Sequence, residues 1–258
     1  TGSLSSNIIY PGIEEDQFGN IWIPTDNGLN KFDYSTRTFT HYRNINFSEK
    51  TISSNQVFDL YADKDHLWIA TAEGLDLMNL KTQELTHILP DHKFTNYERE
   101  KYLTSIFKDS KNRLWLKSHA AISIYDPGNK KVYTHYFDPE NTMKYSSEFI
   151  RDIFEDSYGI IWISTRNGIY RFKGFSTQDE IILSNYNVNN QKGLCNNVIH
   201  MVTENNKTLW AVSFPEGLNV YDRKEDKFRC ISHNPTDRHS IPKIPDKIYS
   251  DRDNNLWV

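Results

Sequence analysis

Seven side chains in predicted short loops carry the groups that sugar recognition requires, which are planar polar groups and a flat apolar ring. Carboxylate, amide, imidazole and guanidinium groups form directed hydrogen bonds to hydroxyls, and an aromatic ring offers an apolar platform. The candidate ligand-binding residues are Asp26, Asn27, Glu73, His119, Arg166, Asn167 and Phe214. The alternative interpretation is that they are solvated loop residues, since loops are generally polar and exposed.

Several longer predicted loops lie at the same end of the predicted strands as these seven residues. They run through residues 44–55, 90–101, 138–147 and 233–245. Irregular loops on a regular scaffold are where binding is usually found. This end of the molecule is therefore the expected ligand face.

A second set of residues shares one predicted place on the first strand of successive repeats. Its members are Asp59, Ser105, Asp152, His200 and Lys247. If they line a common channel, they could bind a small polar ligand or an ion there. The alternative interpretation is a water-filled channel lining.

The histidines and cysteines do not form a recognisable reactive centre. His41, His87 and His135 share one place in three repeats, so they cannot form one metal site or one catalytic base. Cys195 and Cys230 make no zinc spacing and no CxxC motif. The sequence accordingly predicts no catalytic residue, no metal ligand and no cofactor.

The two cysteines are also predicted to stay unpaired. Cys195 precedes the first strand of a repeat and Cys230 lies on its last strand. Three strand spacings of about 4.8 Å separate those strands, which is farther than a disulfide spans.

Composition excludes two classes of partner. The chain has 258 residues and a formal net charge of −4, with acidic and basic residues interspersed. A nucleic-acid partner would require a clustered basic surface to neutralise phosphates. The sequence also has no apolar run of about 18 residues, which a membrane-spanning helix needs.

The spacing of the tryptophans indicates which structural elements position the candidate residues. All six follow one period, with spacings of 46, 47, 47, 48 and 47 residues: Trp22, Trp68, Trp115, Trp162, Trp210 and Trp257. A period of this size, with short alternating strands and turn residues, is typical of propeller blades. The indole rings are predicted to be structural, each packing between neighbouring blades.

Each repeat contains four short strands joined by tight turns. The first turn starts with Asp and ends, three residues later, in Gly or Asn, as in Asp16 to Gly19 and Asp109 to Asn112. The fourth place needs a positive φ, which Gly and Asn tolerate best. Two departures stand out: Ala121 replaces a turn glycine, and residues 213–217 hold one residue more than the other blades.

The predicted fold is therefore all-β, a β-propeller segment of four-stranded blades with five full blades and the start of a sixth. The segment is expected to be a single unit over residues 1–258 and to be part of a larger propeller, because five blades and the start of a sixth do not close. The predicted blades cover residues 4–50, 51–97, 98–144, 145–192, 193–240 and, in part, 241–258.

The repeat resembles the two-component regulator propeller repeat. The shared pattern is D-x-x-G-x-I/L-W-I-x-T-x-x-G-L, followed by an apolar strand ending in Asp and an F-x-x-Y strand. It is clearest from Asp16 to Tyr42 and from Asp156 to Phe172, and weaker copies extend over the rest of the chain.

The resemblance implies a function. Such repeats form periplasmic sensor regions of Bacteroides-type hybrid two-component systems, which contain seven-bladed propellers. By this resemblance the larger propeller is expected to have seven blades, and the chain is expected to sense polysaccharide-derived oligosaccharides as part of a homodimer. The histidine kinase and the membrane segment would lie outside these residues, and this segment would not be an enzyme. Two alternatives remain open: a propeller glycosidase or lyase, and a scaffold for protein partners.

Overall fold

The computed structural model describes residues 2–45, 50–89, 101–118, 121–137, 150–190, 193–215, 217–245 and 247–258. Its regular structure consists of 22 strands and one 3₁₀ turn. The strands form five four-stranded sheets and one two-stranded sheet, each with its strands in chain order. All neighbouring strands are antiparallel. The predicted all-β fold of four-stranded propeller blades is thus confirmed.

The blades are numbered along the chain and consist of the following strands. Blade one has β1 (Glu14–Glu15), β2 (Asn20–Thr25), β3 (Gly28–Asp33) and β4 (Thr38–Tyr42); blade two has β5 (Val57–Ala62), β6 (His66–Thr71), β7 (Gly74–Asn79) and β8 (Leu85–Leu89); blade three has β9 (Leu103–Lys108), β10 (Leu114–Ser118), β11 (Ala121–Asp126) and β12 (Lys131–Tyr136). Blade four has β13 (Ile150–Glu155), β14 (Ile161–Thr165), β15 (Gly168–Phe175) and β16 (Ile181–Tyr186); blade five has β17 (Val198–Asn205), β18 (Thr208–Phe214), β19 (Leu218–Asp222) and β20 (Lys227–Ile231); blade six has β21 (Tyr249–Ser250) and β22 (Leu256–Trp257).

Two compact units share these blades. The first comprises Thr1–Lys108, Asn112–Val132 and Tyr136–Tyr145. The second comprises Asp109–Lys111, Tyr133–His135 and Ser146–Val258. The domain prediction, one propeller segment with the boundaries given above, stays a prediction.

The turn between the first two strands has the predicted geometry. The fourth residue has a positive φ in all four copies: Gly19 (78°), Asn112 (63°), Gly159 (71°) and Asn254 (63°). In blade one, an Asp16 carboxylate oxygen also accepts hydrogen bonds from the backbone N–H groups of Phe18 and Asn20, at 2.9 and 3.0 Å. The aspartate therefore closes the turn through its side chain.

The other oxygen of the same carboxylate binds the blade's tryptophan, a contact that sequence reasoning missed. Trp22 Nε1 donates to Asp16 Oδ2 at 2.8 Å. The bond recurs in blade four with Trp162 and Asp156 at 2.9 Å, and in blade six. The spacing of six residues between Asp and Trp is the sequence signal for it. One carboxylate thus links the turn to the core.

The buried tryptophans pack between successive blades within each unit. In the first unit, Trp22 lies in one cluster with Leu29 of its own blade and with Val57 and Ile69 of blade two. In the second, Trp162 packs against Ile199 and other apolar residues of blade five. Burying an indole ring stabilises such a contact by several kcal/mol, at about 25 cal/mol per Å².

The remaining tryptophans differ in exposure. Trp68 packs against apolar side chains of blade three, and Trp115 is fully buried. Trp210 is half-buried beside Val212 and Ile248, whereas 61% of Trp257 is exposed. Tryptophans at the same place in the repeat therefore bury different amounts of apolar surface.

In the described parts of the chain, no helix is long and apolar enough to cross a bilayer.

Candidate functional site

A stacked aromatic pair in blade five is the most distinctive group of candidate residues. The rings of His200 and Phe214 have centroids 5.2 Å apart and planes within 3° of parallel. Phe214 ends β18, and its Cα partner across the sheet is Val198. About half of the Phe214 side chain, 44%, is exposed. We call His200 and Phe214 the blade-five platform.

An irregularity in β17 brings His200 to this place. The register between β17 and β18 shifts between Ile199 and Met201, so the ladder passes over His200. Such a bulge adds one residue to a strand and re-aims its side chain. The platform thus joins one residue predicted to bind ligand with one predicted to line a channel.

Strand pairing moves one member of the predicted channel set. In blades two and four, Asp59 and Asp152 lie two residues before the residue that pairs with the blade's tryptophan; in blade five that place is occupied by Met201. His200 instead matches the bulge residues Phe58 and Arg151. The equivalence of His200 with Asp152 was therefore wrong, because the turn before Trp210 is one residue shorter than the turn before Trp162.

The other members of the channel set have varied surroundings. Asp59 accepts a hydrogen bond from the backbone N–H of Ile106 at 2.8 Å and also bonds Ser105, so it joins blades two and three. Burial raises the pKa of Asp59. Asp152 accepts from the backbone N–H of Ile153 at 2.9 Å, and Lys247 is exposed. Their role in lining a channel stays a prediction.

The turn beyond Phe214 lies directly on a disulfide. Cys195 and Cys230 are bonded, with Cα atoms 4.9 Å apart. A Cβ atom at Gly217 would collide with the side chain of Cys195, and Gly217 has a φ of 104°. A larger side chain is therefore excluded at that turn.

The prediction that the two cysteines are unpaired was wrong. The entry segment before β17 crosses the end of its own blade, because the backbone N–H of Cys195 donates to Oδ1 of Asn219 on β19 at 2.8 Å. Cys230 is the cross-strand partner of Asn219. Counting strand spacings placed Cys195 beside the first strand of the blade, three strands from Cys230. The segment that carries Cys195 instead lies over the third strand, next to Cys230.

Two asparagines beside the platform have amide groups with a fixed orientation. Oδ1 of Asn196 accepts from the backbone N–H of Val198 at 3.1 Å, and Oδ1 of Asn197 accepts from Val188 at 2.8 Å. Because a backbone N–H can only donate, each amide must turn its oxygen inward and its NH₂ group away. Both residues are half-buried, and neither NH₂ group donates to another described residue.

The predicted ligand residues of blade four lie against this segment. The backbone N–H of Gly168 donates to the Asn197 carbonyl at 2.7 Å, so the exposed turn residues Arg166 and Asn167 adjoin it. The side chain of Asn185 also donates to the Asn167 carbonyl at 3.2 Å. Arg166, Asn167 and the platform thus belong to one region of the second unit.

The predicted ligand residues of the first unit are engaged locally. Asn27 donates through Nδ2 to the Ser5 carbonyl at 3.0 Å, and Glu73 forms an ion pair with Lys101 at 3.0 Å. Oδ1 of Asp26 is buried without a hydrogen-bond partner among the described residues. His119 lies outside the described residues, as do residues 46–49, 90–100 and 138–147 of the long loops.

The outer-strand histidines have a role that the sequence did not reveal. In blade two, the buried Asp76 accepts from the backbone N–H of Ser53 in the entry segment at 2.7 Å. Its other carboxylate oxygen is 2.6 Å from Nδ1 of His87 on β8. In blade one, His41 instead binds the Ser3 carbonyl at 3.0 Å. His41 therefore holds an entry segment directly and His87 does so through Asp76, as Cys230 does in blade five through the disulfide.

Among the described residues, no cluster of three or more histidine, cysteine, aspartate or glutamate side chains is arranged to hold a metal ion.

Comparison with known proteins identifies one family and several similar folds. Residues 144–167 match the family described as "Two component regulator propeller". The chain therefore carries a two-component regulator propeller repeat, which falls almost wholly in predicted blade four. No curated protein sequence matches the chain.

Three solved structures illustrate the likeness of fold. The extracellular domain of a putative hybrid two-component system from B. thetaiotaomicron is 20% identical, with a TM-score of 0.50; the match covers 98% of this chain and 39% of that one. Catalytically inactive virginiamycin B lyase from Staphylococcus aureus with quinupristin is 16% identical, with a TM-score of 0.57, over 98% of this chain and 78% of that one. PorZ, described as a surface component of the type-IX secretion system of Porphyromonas gingivalis, is 12% identical, with a TM-score of 0.52, over 90% and 45% of the two chains. The chain thus spans about two fifths of the extracellular domain it resembles.

Proposed function

We propose that this chain is a ligand-sensing propeller region of a two-component signalling receptor, and that it recognises an oligosaccharide outside the cytoplasm. The match of residues 144–167 to the two-component regulator propeller family carries the proposal. The signal would pass to a kinase outside these residues, and the sensor region would act as a homodimer. In this proposal the chain itself catalyses no reaction.

The disulfide supports an extracytoplasmic location. Cys195 and Cys230 are the only cysteines of the chain, and they are bonded to each other. Disulfides form and persist in oxidising compartments and are rare in the cytoplasm, where thiols are kept reduced. A periplasmic location agrees with this pairing.

The region around the platform supports a sugar ligand. Phe214 offers an exposed ring, and Asn196 and Asn197 offer NH₂ donors one or two residues from its cross-strand partner, Val198. Small-molecule sites typically combine aromatic surface with a few well-placed polar groups. The likeness to virginiamycin B lyase concerns the fold and adds no catalytic role.

Calorimetric titration against a panel of oligosaccharides derived from plant and host polysaccharides tests the proposal. We expect binding at micromolar concentration to one glycan class, with no change in the glycan afterwards by mass spectrometry. Release of reducing sugar would instead indicate a hydrolase. An absence of heat across the panel, together with tight capture of another protein, would favour the scaffold alternative and overturn the proposal.

A further inference from the structure

We infer that the blade-five platform is a stacking site for one pyranose ring, whose oxygen atoms accept hydrogen bonds from Asn196 and Asn197. This inference rests on the proposed function and names the site and the orientation of its ligand. It depends on three observations: an exposed ring held flat, two oriented amide donors, and a turn that packs against a disulfide.

The first observation is that the ring of Phe214 is held in one plane although much of it is exposed. His200 stacks on it at 5.2 Å and 3°, so it is less free to rotate than an isolated surface phenylalanine. A ring that is already ordered loses less conformational entropy when a ligand binds. A pyranose presents a face of C–H groups that can cover such a ring.

The second observation is the polarity of the neighbouring amides. Asn196 and Asn197 use their oxygens on backbone N–H groups and keep their NH₂ groups for other partners. The site therefore offers donors and requires acceptors, which hydroxyl and ring oxygens provide. Together with the exposed ring of Phe214, these donors suit a sugar better than they suit a purely apolar ligand.

The third observation is that the turn after Phe214 packs against a disulfide. Gly217 lies against Cys195, whose disulfide joins the entry segment to β20. Val198, the cross-strand partner of Phe214, is three residues from Cys195 along the same segment. The disulfide thus lies against the turn that follows Phe214 and close in sequence to the start of the strand that carries His200, and binding sites depend on such support from surrounding residues.

The test compares substitutions of equal chemistry inside and outside the site. Phe214→Ala should weaken binding of the glycan identified in the calorimetric panel about tenfold or more, as truncation of aromatic anchors commonly does. Phe214→Tyr keeps a flat ring and should bind within about threefold of the parent. Phe18→Ala is the matched control, because Phe18 has a similar exposure of 55% in the turn at the other end of blade one.

Asn197→Asp tests the donors separately. Aspartate keeps an oxygen for the N–H of Val188 and loses the NH₂ group, so affinity should fall several-fold while the melting temperature stays near that of the parent. Asn196→Asp should behave in the same way.

The possible outcomes separate this inference from the proposed function. If the parent binds a glycan and Phe214→Ala binds it equally well, the platform is not the site, although sensing stands. If Phe18→Ala is as weak as Phe214→Ala, the loss is not specific to the platform and the inference is wrong. If no glycan binds the parent, both the proposed ligand class and this site are overturned.

Discussion

In blades one and five, the segment that precedes the first strand is held by the same backbone hydrogen bond to an asparagine of the third strand. The two blades differ in the second contact that holds this segment. In blade one, the N–H of Ser5 donates to Asn30 Oδ1 at 2.9 Å; in blade five, the N–H of Cys195 donates to Asn219 Oδ1 at 2.8 Å. The NH₂ group of each asparagine turns inward to groups of the second strand. The fourth strand then places a different residue opposite the asparagine.

That residue is His41 in blade one and Cys230 in blade five. His41 reaches the entry segment through a hydrogen bond to the Ser3 carbonyl, whereas Cys230 reaches it through the disulfide. One place in the repeat thus serves either a polar or a covalent attachment. The covalent form occurs in the blade that carries the platform.

Removing the covalent attachment should have the largest effect on stability. Replacing both cysteines, Cys195→Ser with Cys230→Ser, opens a loop with a sequence separation of 35 residues. A cross-link over a loop of this size stabilises by roughly 3–4 kcal/mol in the chain-entropy model. Urea denaturation should show a loss of that order. An unchanged midpoint would mean that the polar contacts alone fix blade five.

Introducing the covalent attachment into blade one should have the next largest effect. Because Asn30 pairs with His41 as Asn219 pairs with Cys230, Ser5→Cys with His41→Cys should form a disulfide under oxidising conditions. Engineered bonds often yield less than the model predicts, so we expect a gain of roughly 1–3 kcal/mol. Thiol titration and denaturation with and without reductant would measure it. Two free thiols after oxidation would show that residues 5 and 41 are not positioned as Cys195 and Cys230 are.

The repeat explains how much of this could be read from the sequence. The tryptophan period predicted the blades, and the Asp turns were predicted because Gly19 and Asn112 supply the φ that the fourth place requires. The disulfide could not be predicted from strand spacing, because Cys195 lies in a segment that crosses the sheet end. The stack of His200 on Phe214 depends on a bulge that blades two and four share, and their tryptophan spacings of 46 and 47 residues do not differ from the other spacings in a way that reveals it.

A second difference between blades one and five concerns the tryptophan. Trp22 donates to Asp16 in blade one, whereas blade five has Asn205 at the end of its first strand. Asn205 donates instead to Ser250 and Asn254 of blade six. Trp210 Nε1 is buried without a hydrogen-bond partner among the described residues. At this place in the repeat, blade one bonds its own tryptophan through a carboxylate, whereas blade five bonds blade six through an amide.

Asp16→Asn should accordingly destabilise the chain, by roughly 1–3 kcal/mol, since hydrogen bonds to a charged group are lost. Burial raises the pKa of Asp16, but hydrogen bonds from Asn20, Trp22 and the turn backbone outweigh it, and the pKa is lowered. A carboxylate with a lower pKa in the folded state stabilises the fold above its unfolded pKa of about 3.9. That stabilisation is lost as the pH falls through the folded pKa.

The difference in unfolding free energy between the parent and Asp16→Asn should therefore be full at pH 7 and shrink below about pH 4. Denaturation of both proteins from pH 7 to pH 2.5 measures it, with Asn205→Ala as the blade-five comparison, since its effect should not follow a carboxylate titration. A pH-independent difference for Asp16→Asn would show that the shape of the side chain, and not its charge, joins the turn to Trp22.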